Sequence, residues 1–285
     1  MKRLVICGKN AIACKATEYT FDVITIQGLD LRLGTIPVAG DNGVDAWQPS
    51  LRKVSNQLGL PTYPSLSSAS LTQDDIVISL EYDKVIRPAD LNQARTFNIH
   101  FSNLPKYRGC LTSVWPIRNG EKQAGATLHE LTPGIDDGPI VDQVLFDIPE
   151  FMTSFDLYRS YSAYGYELYK RNLGKIVSGD YVARTQDSSL ASYYKRSSVS
   201  FAELELPPFD RPAAQLRAYV QSLVFEPYQL PVFHGKRIIE CDVLVWDTGK
   251  ESLPPPGRVV IEDSEHAVVS CLDGYLRLRF HPDEG

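Results

Sequence analysis

The sequence is poor in usable cysteine. Its five cysteines, Cys7, Cys14, Cys110, Cys241 and Cys271, are odd in number and scattered, and no Cys-x-x-Cys occurs. This argues against a disulfide scaffold and a cysteine-based metal site, and free thiols in a reducing compartment are expected. Long apolar runs are also missing. The stretch after Met1-Lys2-Arg3, Leu4 to Cys7, is far shorter than a signal-peptide core or the roughly 20 residues of a membrane span. A cytoplasmic protein with no membrane partner is therefore expected. Positive charge is in deficit, with 29 Lys and Arg against 35 Asp and Glu and a formal net charge of −6. Such a balance does not suggest a nucleic acid partner, which usually meets a basic face. Glycine is sparse where a dinucleotide would need it. The turn after the first apolar run has Gly8 but no Gly-x-Gly-x-x-Gly, so a nicotinamide or flavin dinucleotide is not indicated. There is no internal repeat, and low complexity is confined to Pro254-Pro255-Pro256, a stiff surface linker.

What is present describes a globular protein. The 285 residues are 43% hydrophobic and 22% charged, enough for one large or two modest domains. Leu4 to Cys7, ended by Gly8, reads as a buried parallel strand. Ala11 to Tyr19 reads as a helix and Val23 to Ile26 as a second strand closed by Gly28, together a right-handed βαβ unit. Gly34 to Asn42 is loop-like. Val44 to Leu58 has helical periodicity, with Trp47, Leu51, Val54 and Leu58 on one stripe, and Gly59 and Pro61 stop it. Asp75 to Leu80 is a third buried strand, with Glu81-Tyr82-Asp83 at its C-terminal end, where open α/β sheets bind ligands. A short helix over Pro88 to Arg95 and a strand over Thr96 to His100 follow.

Ala124 to Leu131 and Ile140 to Phe146 read as paired strands around the turn Gly134 to Gly138. Ser154 to Val177 reads as a long amphipathic helix. The texture then changes to a helix over Pro212 to Val224 and short strands at Val232-Phe233, Arg237 to Trp246, Arg258 to Glu262, Ala267 to Cys271 and Tyr275 to Phe280, with Asp273-Gly274 as a hairpin turn. The expected class is α/β. A Rossmann-like, mostly parallel sheet occupies residues 1–180, a linker 181–205, and a small, mostly β domain 206–285.

The densest chemistry lies between Phe97 and Pro139. Asn98 and His100 are two apart, so on a strand both point to one face. A loop with Pro105, Gly109 and the cations Lys106 and Arg108 follows, and the turn Gly134-Ile135-Asp136-Asp137-Gly138 offers carboxylates. Amide, imidazole and carboxylate are the groups needed to move an acyl group onto an amine. The amide stabilises an oxyanion, the imidazole moves protons, and the carboxylate orients the imidazole. Taken alone, Asn98 and His100 read better as strand-end residues satisfied by backbone. Asp136 and Asp137 can equally be turn residues whose side chains bond nearby backbone. His129, on an expected strand, suits a structural role as well as a site role, and His234, His266 and His281 suit the surface or packing.

Asn98-x-His100-x-Ser102, then Leu104-Pro105-x-Tyr107-x-Gly109, then Asp136-x-Gly138 resembles the 10-formyltetrahydrofolate-dependent formyltransferase family over most of residues 75–150. The resemblance implies a formyltransferase fold, N10-formyltetrahydrofolate as co-substrate and no metal. It implies a catalytic trio of Asn98, His100 and Asp136, and folate contacts around Leu80, Glu81, Tyr82 and Asp83. Many members have proline after the histidine, whereas this chain has Phe101, as nucleotide-sugar enzymes do. Cys7-Gly8-Lys9-Asn10-x-Ile12-Ala13, Tyr193-Tyr194-x-Arg196-x-Ser198-x-Ser200-Phe201, and Pro227-Tyr228 followed by Gly235-Lys236-Arg237-Ile238 are similar to the same subgroup. That similarity implies a nucleotide-sugar substrate, a dTDP-linked 3- or 4-amino-dideoxyhexose for bacterial surface polysaccharide such as lipopolysaccharide O-antigen. It implies a homodimer, and substrate contacts from Lys9, Asn10, Lys106, Tyr107, Arg108, Lys195 and Arg196, since a pyrophosphate needs cationic donors. Two alternatives stand beside this reading: a methionyl-tRNA formyltransferase, and a non-catalytic folate- or nucleotide-binding module. The sugar, the position of its amine and the base stay open.

Overall fold

A computed structural model of the chain describes residues 2–201, 204–245 and 252–282. In chain order its helices and strands are β1 (Lys2–Gly8), α1 (Asn10–Gln27), β2 (Leu31–Pro37), α2 (Leu51–Gln57), β3 (Ile76–Leu80), β4 (Arg95–His100), β5 (Arg108–Gly109), α3 (Trp115–Arg118), β6 (Gln123–Glu130), β7 (Ile140–Asp147), α4 (Ser154–Ser178), β8 (Tyr193–Tyr194), α5 (Ala213–Leu223), β9 (Val232–Phe233), β10 (Lys236–Val245), β11 (Val259–Glu262), β12 (His266–Ser270) and β13 (Gly274–Phe280). The chain forms two compact units. One combines Met1–Gly109, Gly125–Phe146 and Ser160–Tyr194, and the other combines Cys110–Ala124, Asp147–Arg159 and Lys195–Gly285. No described helix is long and apolar enough to cross a membrane.

The first unit is built on a six-stranded sheet in the order β2-β1-β3-β4-β6-β7. β1 pairs in parallel with β2 and β3, and β3 with β4. β6 runs antiparallel to β4. All five residues of β3 are buried, as a doubly covered parallel strand requires. One face is covered by α1 and α4, whose Tyr161 stacks on Phe101 with ring centroids 5.5 Å apart. At Gly165 of α4 a Cβ atom would lie 2.9 Å from Ile12 Cδ1 and 3.1 Å from Phe101, so glycine lets the helix come close to the sheet. The other face buries Val5, Cys7 and Val77 under Ala69, Leu71, Ile86, Leu91 and Ala94. β1 and β3 end side by side, and the chain leaves β1 towards β2 but reaches β4 on the other side. This is the crevice at which doubly wound sheets bind ligands. Gly8 is required there, because a Cβ would sit 2.1 Å from the Leu80 carbonyl oxygen.

Four local expectations are corrected. Val23 to Ile26 is the last part of α1, and Gly28, at φ +66°, is the left-handed cap of that helix. The β-branched residues cost only tenths of a kcal/mol in a helix already formed, and Ile26, 80% exposed, has no burial to gain as a strand. The second strand is instead Leu31–Pro37, of which all but Arg32 is buried, so the loop expected from Gly34 begins only after Pro37. The helix expected over Val44 to Leu58 shrinks to Leu51–Gln57, capped by the Ser50 hydroxyl accepting from Lys53 N–H. Residues before it form a loop around Asp41, which takes N–H bonds from Gly43 and Arg52. Short polar side chains bond backbone in preference to joining a helix. Finally, Pro88 to Arg95 holds only a single turn, Pro88–Asp90, since Asn92 and Gln93 have positive φ.

The second unit contains the five-stranded sheet β11-β12-β13-β10-β9, with antiparallel pairings. Leu216 and Val220 of α5 pack with Ile238, Cys241, Leu276 and Leu278 in its core. Asp273-Gly274 joins β12 to β13 as a hairpin, as read from the sequence. Trp246, expected as the end of a strand, lies outside the described residues.

The close approach at Gly8 yields a stability prediction. Gly8→Ala is expected to lose about 1–3 kcal/mol of unfolding free energy through overpacking, while Gly40→Ala, with open space around it, stays near wild type. Urea unfolding of the two variants checks this, and equal stability would contradict it.

Candidate active site

β4 carries Asn98 and His100 on one face, and the antiparallel register sets His129 of β6 opposite Asn98 and Thr127 opposite His100. His100 is buried, 8% exposed, and its Nε2 lies 2.8 Å from the Tyr107 carbonyl oxygen. A carbonyl only accepts, so Nε2 carries the proton of a neutral ring and donates it. The other nitrogen, Nδ1, then faces Asp136, with Oδ2 3.5 Å away. The same Asp136 oxygen accepts the Gly109 N–H at 2.8 Å. The structure thus brings Asn98, His100 and Asp136 together from two separate segments.

The loop after β4 is built to present the Tyr107 carbonyl. Ser102 Oγ donates to the Lys106 carbonyl at 2.8 Å, and Thr127 Oγ1 donates to that of Ser102 at 2.7 Å. Tyr107 has φ +62°, and its N–H donates to Ser192 Oγ at 2.8 Å. Its ring is buried against Tyr194, with centroids 5.8 Å apart and planes at 17°. β5 pairs with β8 so closely that a Cβ on Gly109, at φ +90°, would lie 2.3 Å from the Tyr194 carbonyl oxygen.

The carboxylate turn is held as firmly. Asp136 has φ +52°, a region Asp tolerates better than most residues. A Cβ on Gly138 would fall 1.8 Å from the Glu130 carbonyl oxygen, which explains the glycine two positions on. Gln186 Nε2 donates to the carbonyls of Asp136 at 2.9 Å and Gly138 at 2.7 Å. Its Oε1 accepts from Arg108 Nη2 at 2.8 Å and Nε at 3.2 Å, so one buried amide ties the turn to the loop. Asp137 is exposed and bonds the Thr132 hydroxyl.

His129 is 1% exposed. Its Nδ1 lies 2.8 Å from the Glu130 carbonyl oxygen and its Nε2 3.2 Å from Asn98 Nδ2. Burial lowers its pKa to about 4, with His100 acting in the same direction and Asp136 against it. Among the thiols, burial raises Cys7, Cys14, Cys241 and Cys271, which keeps them protonated and poor nucleophiles.

At the crevice between β1 and β3, Asn10 Nδ2 donates to Glu81 Oε2 at 2.9 Å. Both residues have positive φ. Of the residues at the end of β3, Leu80 is fully buried and its carbonyl accepts the Lys9 N–H at 3.2 Å. Tyr82 packs against the buried layer around Val77, and Asp83 is exposed. Lys9 and Asn10 line a cleft of about 320 Å³ with Trp47, Gln48, Asp41 and Asp45. Gln48 Oε1 accepts the Ala11 N–H and so caps α1. Burial disfavours the Asp41 charge, yet bonds from Ser50, Arg52 and Gly43 hold its carboxyl below the usual range. Asp45 pairs with Lys53 at 2.6 Å, and among the described residues of the lining Lys9 is the cation. Lys106 is exposed in the first unit, and Lys195 and Arg196 are exposed in the second.

Gln186, Ser192 and Thr127 play parts that the sequence reading does not assign. Gln186 and Ser192 fall in the stretch expected to be a linker, and no local pattern marks a residue whose partners are far along the chain.

The buried His129 sets a pH prediction. Its folded pKa lies below that of an unfolded histidine, near 6.5. Between those values the unfolded chain binds more protons, so stability falls as pH is lowered from about 6.5 to about 4 and then levels off. The difference amounts to about 3 kcal/mol. Urea unfolding at pH 7 and pH 4.5 is expected to show wild type losing more stability than His129→Gln. Equal losses would mean that His129 is not held neutral.

A family model described as formyl transferase matches residues 65–173. Among solved structures, an N-formyltransferase from Helicobacter canadensis in complex with folinic acid and dTDP-3-aminofucose is 30% identical, with a TM-score of 0.85, over 99% of this chain and 100% of that one. WlaRD, a sugar 3N-formyl transferase in the presence of dTDP and 5-N-formyl-THF, is 28% identical with a TM-score of 0.85, over 98% of both chains. Curated relatives include the methionyl-tRNA formyltransferases of Ruminiclostridium cellulolyticum, 27% identical over 72% of this chain and 65% of that protein, and Clostridium novyi, 28% identical over 84% and 74%. The chain thus spans about two thirds to three quarters of the length of these two relatives. With a full-length match of this kind around an Asn98, His100 and Asp136 cluster, the chain belongs to the formyl transferase family.

Proposed function

We propose that the protein transfers the formyl group of N10-formyltetrahydrofolate to the amine of a nucleotide-linked amino-dideoxy sugar, a dTDP-3- or 4-amino-dideoxyhexose. The observation that carries the chemistry is the meeting of an amide, a buried imidazole and a carboxylate on one face of the sheet. In this reading the amine nitrogen bonds to the formyl carbon, the bond from that carbon to N10 breaks, and a proton passes from the amine to N10. Asn98 donates a hydrogen bond to the oxygen that becomes negative. His100 Nε2 is committed to the Tyr107 carbonyl, so Nδ1 accepts the amine proton, and the imidazolium formed lies beside Asp136. No covalent bond to the protein is needed.

The acceptor assignment is supported by the two sugar enzymes, which superpose on this chain over 98–100% of their length with a TM-score of 0.85. A methionyl-tRNA acceptor is the competing reading, because the curated relatives carry that name. Lys9 and Asn10, in their cleft at the β1 and β3 ends, are assigned to the nucleotide sugar, together with Lys106, Tyr107 and Arg108 of the same unit. Glu81, Tyr82 and Asp83 are assigned to the folate, over a floor made by Leu80. A dimer and a role in bacterial surface polysaccharide belong to the same proposal.

A screen of dTDP-amino-dideoxyhexoses with the labelled formyl donor is expected to give a product heavier by one formyl group. Formylation of charged initiator tRNA with no amino sugar modified would overturn the acceptor assignment. His100→Ala and Asn98→Ala are each expected to lower kcat by about 10²–10³, and unchanged turnover in His100→Ala would leave only a binding role.

A further inference from the structure

The reaction as read uses Asn98, His100 and Asp136 and leaves the fourth polar side chain of that cluster, His129, without a part. His129 stands opposite Asn98 in the β4 and β6 pairing, and it is almost wholly buried. Its hydrogen bonds determine which nitrogen carries the proton. Nδ1 faces a backbone carbonyl, that of Glu130 at 2.8 Å, and must donate. In a neutral ring Nε2 is then a lone pair, and its partner is Asn98 Nδ2 at 3.2 Å, an amide nitrogen that can only donate. The charges nearby do not replace this pairing. Asp136 Oδ1 lies 3.7 Å from Nε2, beyond hydrogen-bond reach, and the His100 ring stands nearly perpendicular with centroids 6.4 Å apart.

We propose that His129 is a positioning residue for Asn98. As the Nδ1–H tautomer it holds the amide nitrogen by one N–H, so that the second N–H of the same nitrogen is the donor offered to the reacting oxygen. The proposal rests on the formyl-transfer reading. An asparagine amide has a broad, nearly two-fold torsion, and its two ends differ only in what they bond. A proton on Nε2 would invite the amide oxygen instead and turn the donor away. Neutral His129 therefore selects which end of Asn98 faces the chemistry. The antiparallel strand makes this possible by placing an imidazole directly across from the amide.

Steady-state kinetics and side-chain NMR on the full chain test the proposal. His129→Leu is expected to lower kcat by about ten- to a hundredfold, the scale of a misplaced catalytic group, with KM for both substrates changed less than about threefold. His129→Gln, whose Oε1 restores an acceptor where Nε2 was, is expected to recover part of that loss. The double variant Asn98→Ala/His129→Leu is expected to be no slower than Asn98→Ala alone, because His129 acts only through Asn98. In ¹⁵N spectra at neutral pH the His129 ring is expected to be protonated at Nδ1 and bare at Nε2, a readout independent of activity and of the leucine variant's folding. Multiplying defects in the double variant, or a proton on Nε2, overturns the proposal alone. Full turnover in Asn98→Ala removes Asn98 from the chemistry and overturns the proposal whatever tautomer is seen, whereas a wild-type protein that transfers no formyl group to any amine overturns the formyl-transfer reading itself.

Discussion

His100 is buried, and its Nε2 proton has to be taken by a protein acceptor while Nδ1 is left to face a carboxylate. Much of the first unit's local structure follows from that demand. Nε2 takes the Tyr107 carbonyl, so the chain after β4 turns through left-handed backbone to aim that carbonyl inward. Nδ1 faces Asp136, so the turn before β7 also passes through a positive φ and is braced by the Gly109 N–H. The glycines at positions 109 and 138 are where neighbouring carbonyls leave no room for a side chain. Gln186 joins the two halves with an amide that donates to one and accepts from the other. A neutral amide suits this place, since a carboxylate there would face two carbonyl oxygens with nothing to donate.

The sheet supplies the rest. β4 is the strand at which pairing changes from parallel to antiparallel. An antiparallel neighbour sets residues directly opposite one another, which puts His129 across from Asn98 and Thr127 across from His100. Thr127 spends its hydroxyl on the loop, donating to Ser102 and accepting from Leu104 N–H and Gln143. On the parallel side, the ends of β1 and β3 form the crevice in which Asn10 and Glu81 meet. Reactive groups and the Lys9 cleft thus belong to one sheet, reached through different strand ends.

The legible parts of the fold were those with a strong, local physical signal. Buried parallel strands such as β1 and β3 show as unbroken apolar runs, and α4 shows a wide apolar stripe. The reading failed where local preference met a competing demand. Val23 to Ile26 looks like a strand by residue type, but α1 was already formed and exposure removed any benefit of pairing. The apolar stripe from Trp47 to Leu58 looks helical, but Asp41, Asp45 and Ser50 bond backbone and hold the first half as a loop. That loop places Trp47 in the lining of the Lys9 cleft, outside the helix that the stripe suggests.

For the site, the sequence alone determined the kinds of group available and part of their geometry. Period-two spacing puts Asn98 and His100 on one face, and the ordered motifs from Asn98 to Gly138 point to a formyl-transferring family. Only the tertiary structure decided how near Asp136 comes to His100 Nδ1, that Arg108 is held by Gln186, and that the Tyr107 ring is buried while its carbonyl binds the imidazole. It also decided the tautomer of His129. The reason is physical. Strand periodicity is a property of neighbouring residues, whereas hydrogen-bond partners such as Gln186 with Asp136, or His129 with Asn98, are set by loop closure and strand register between segments far apart in the chain.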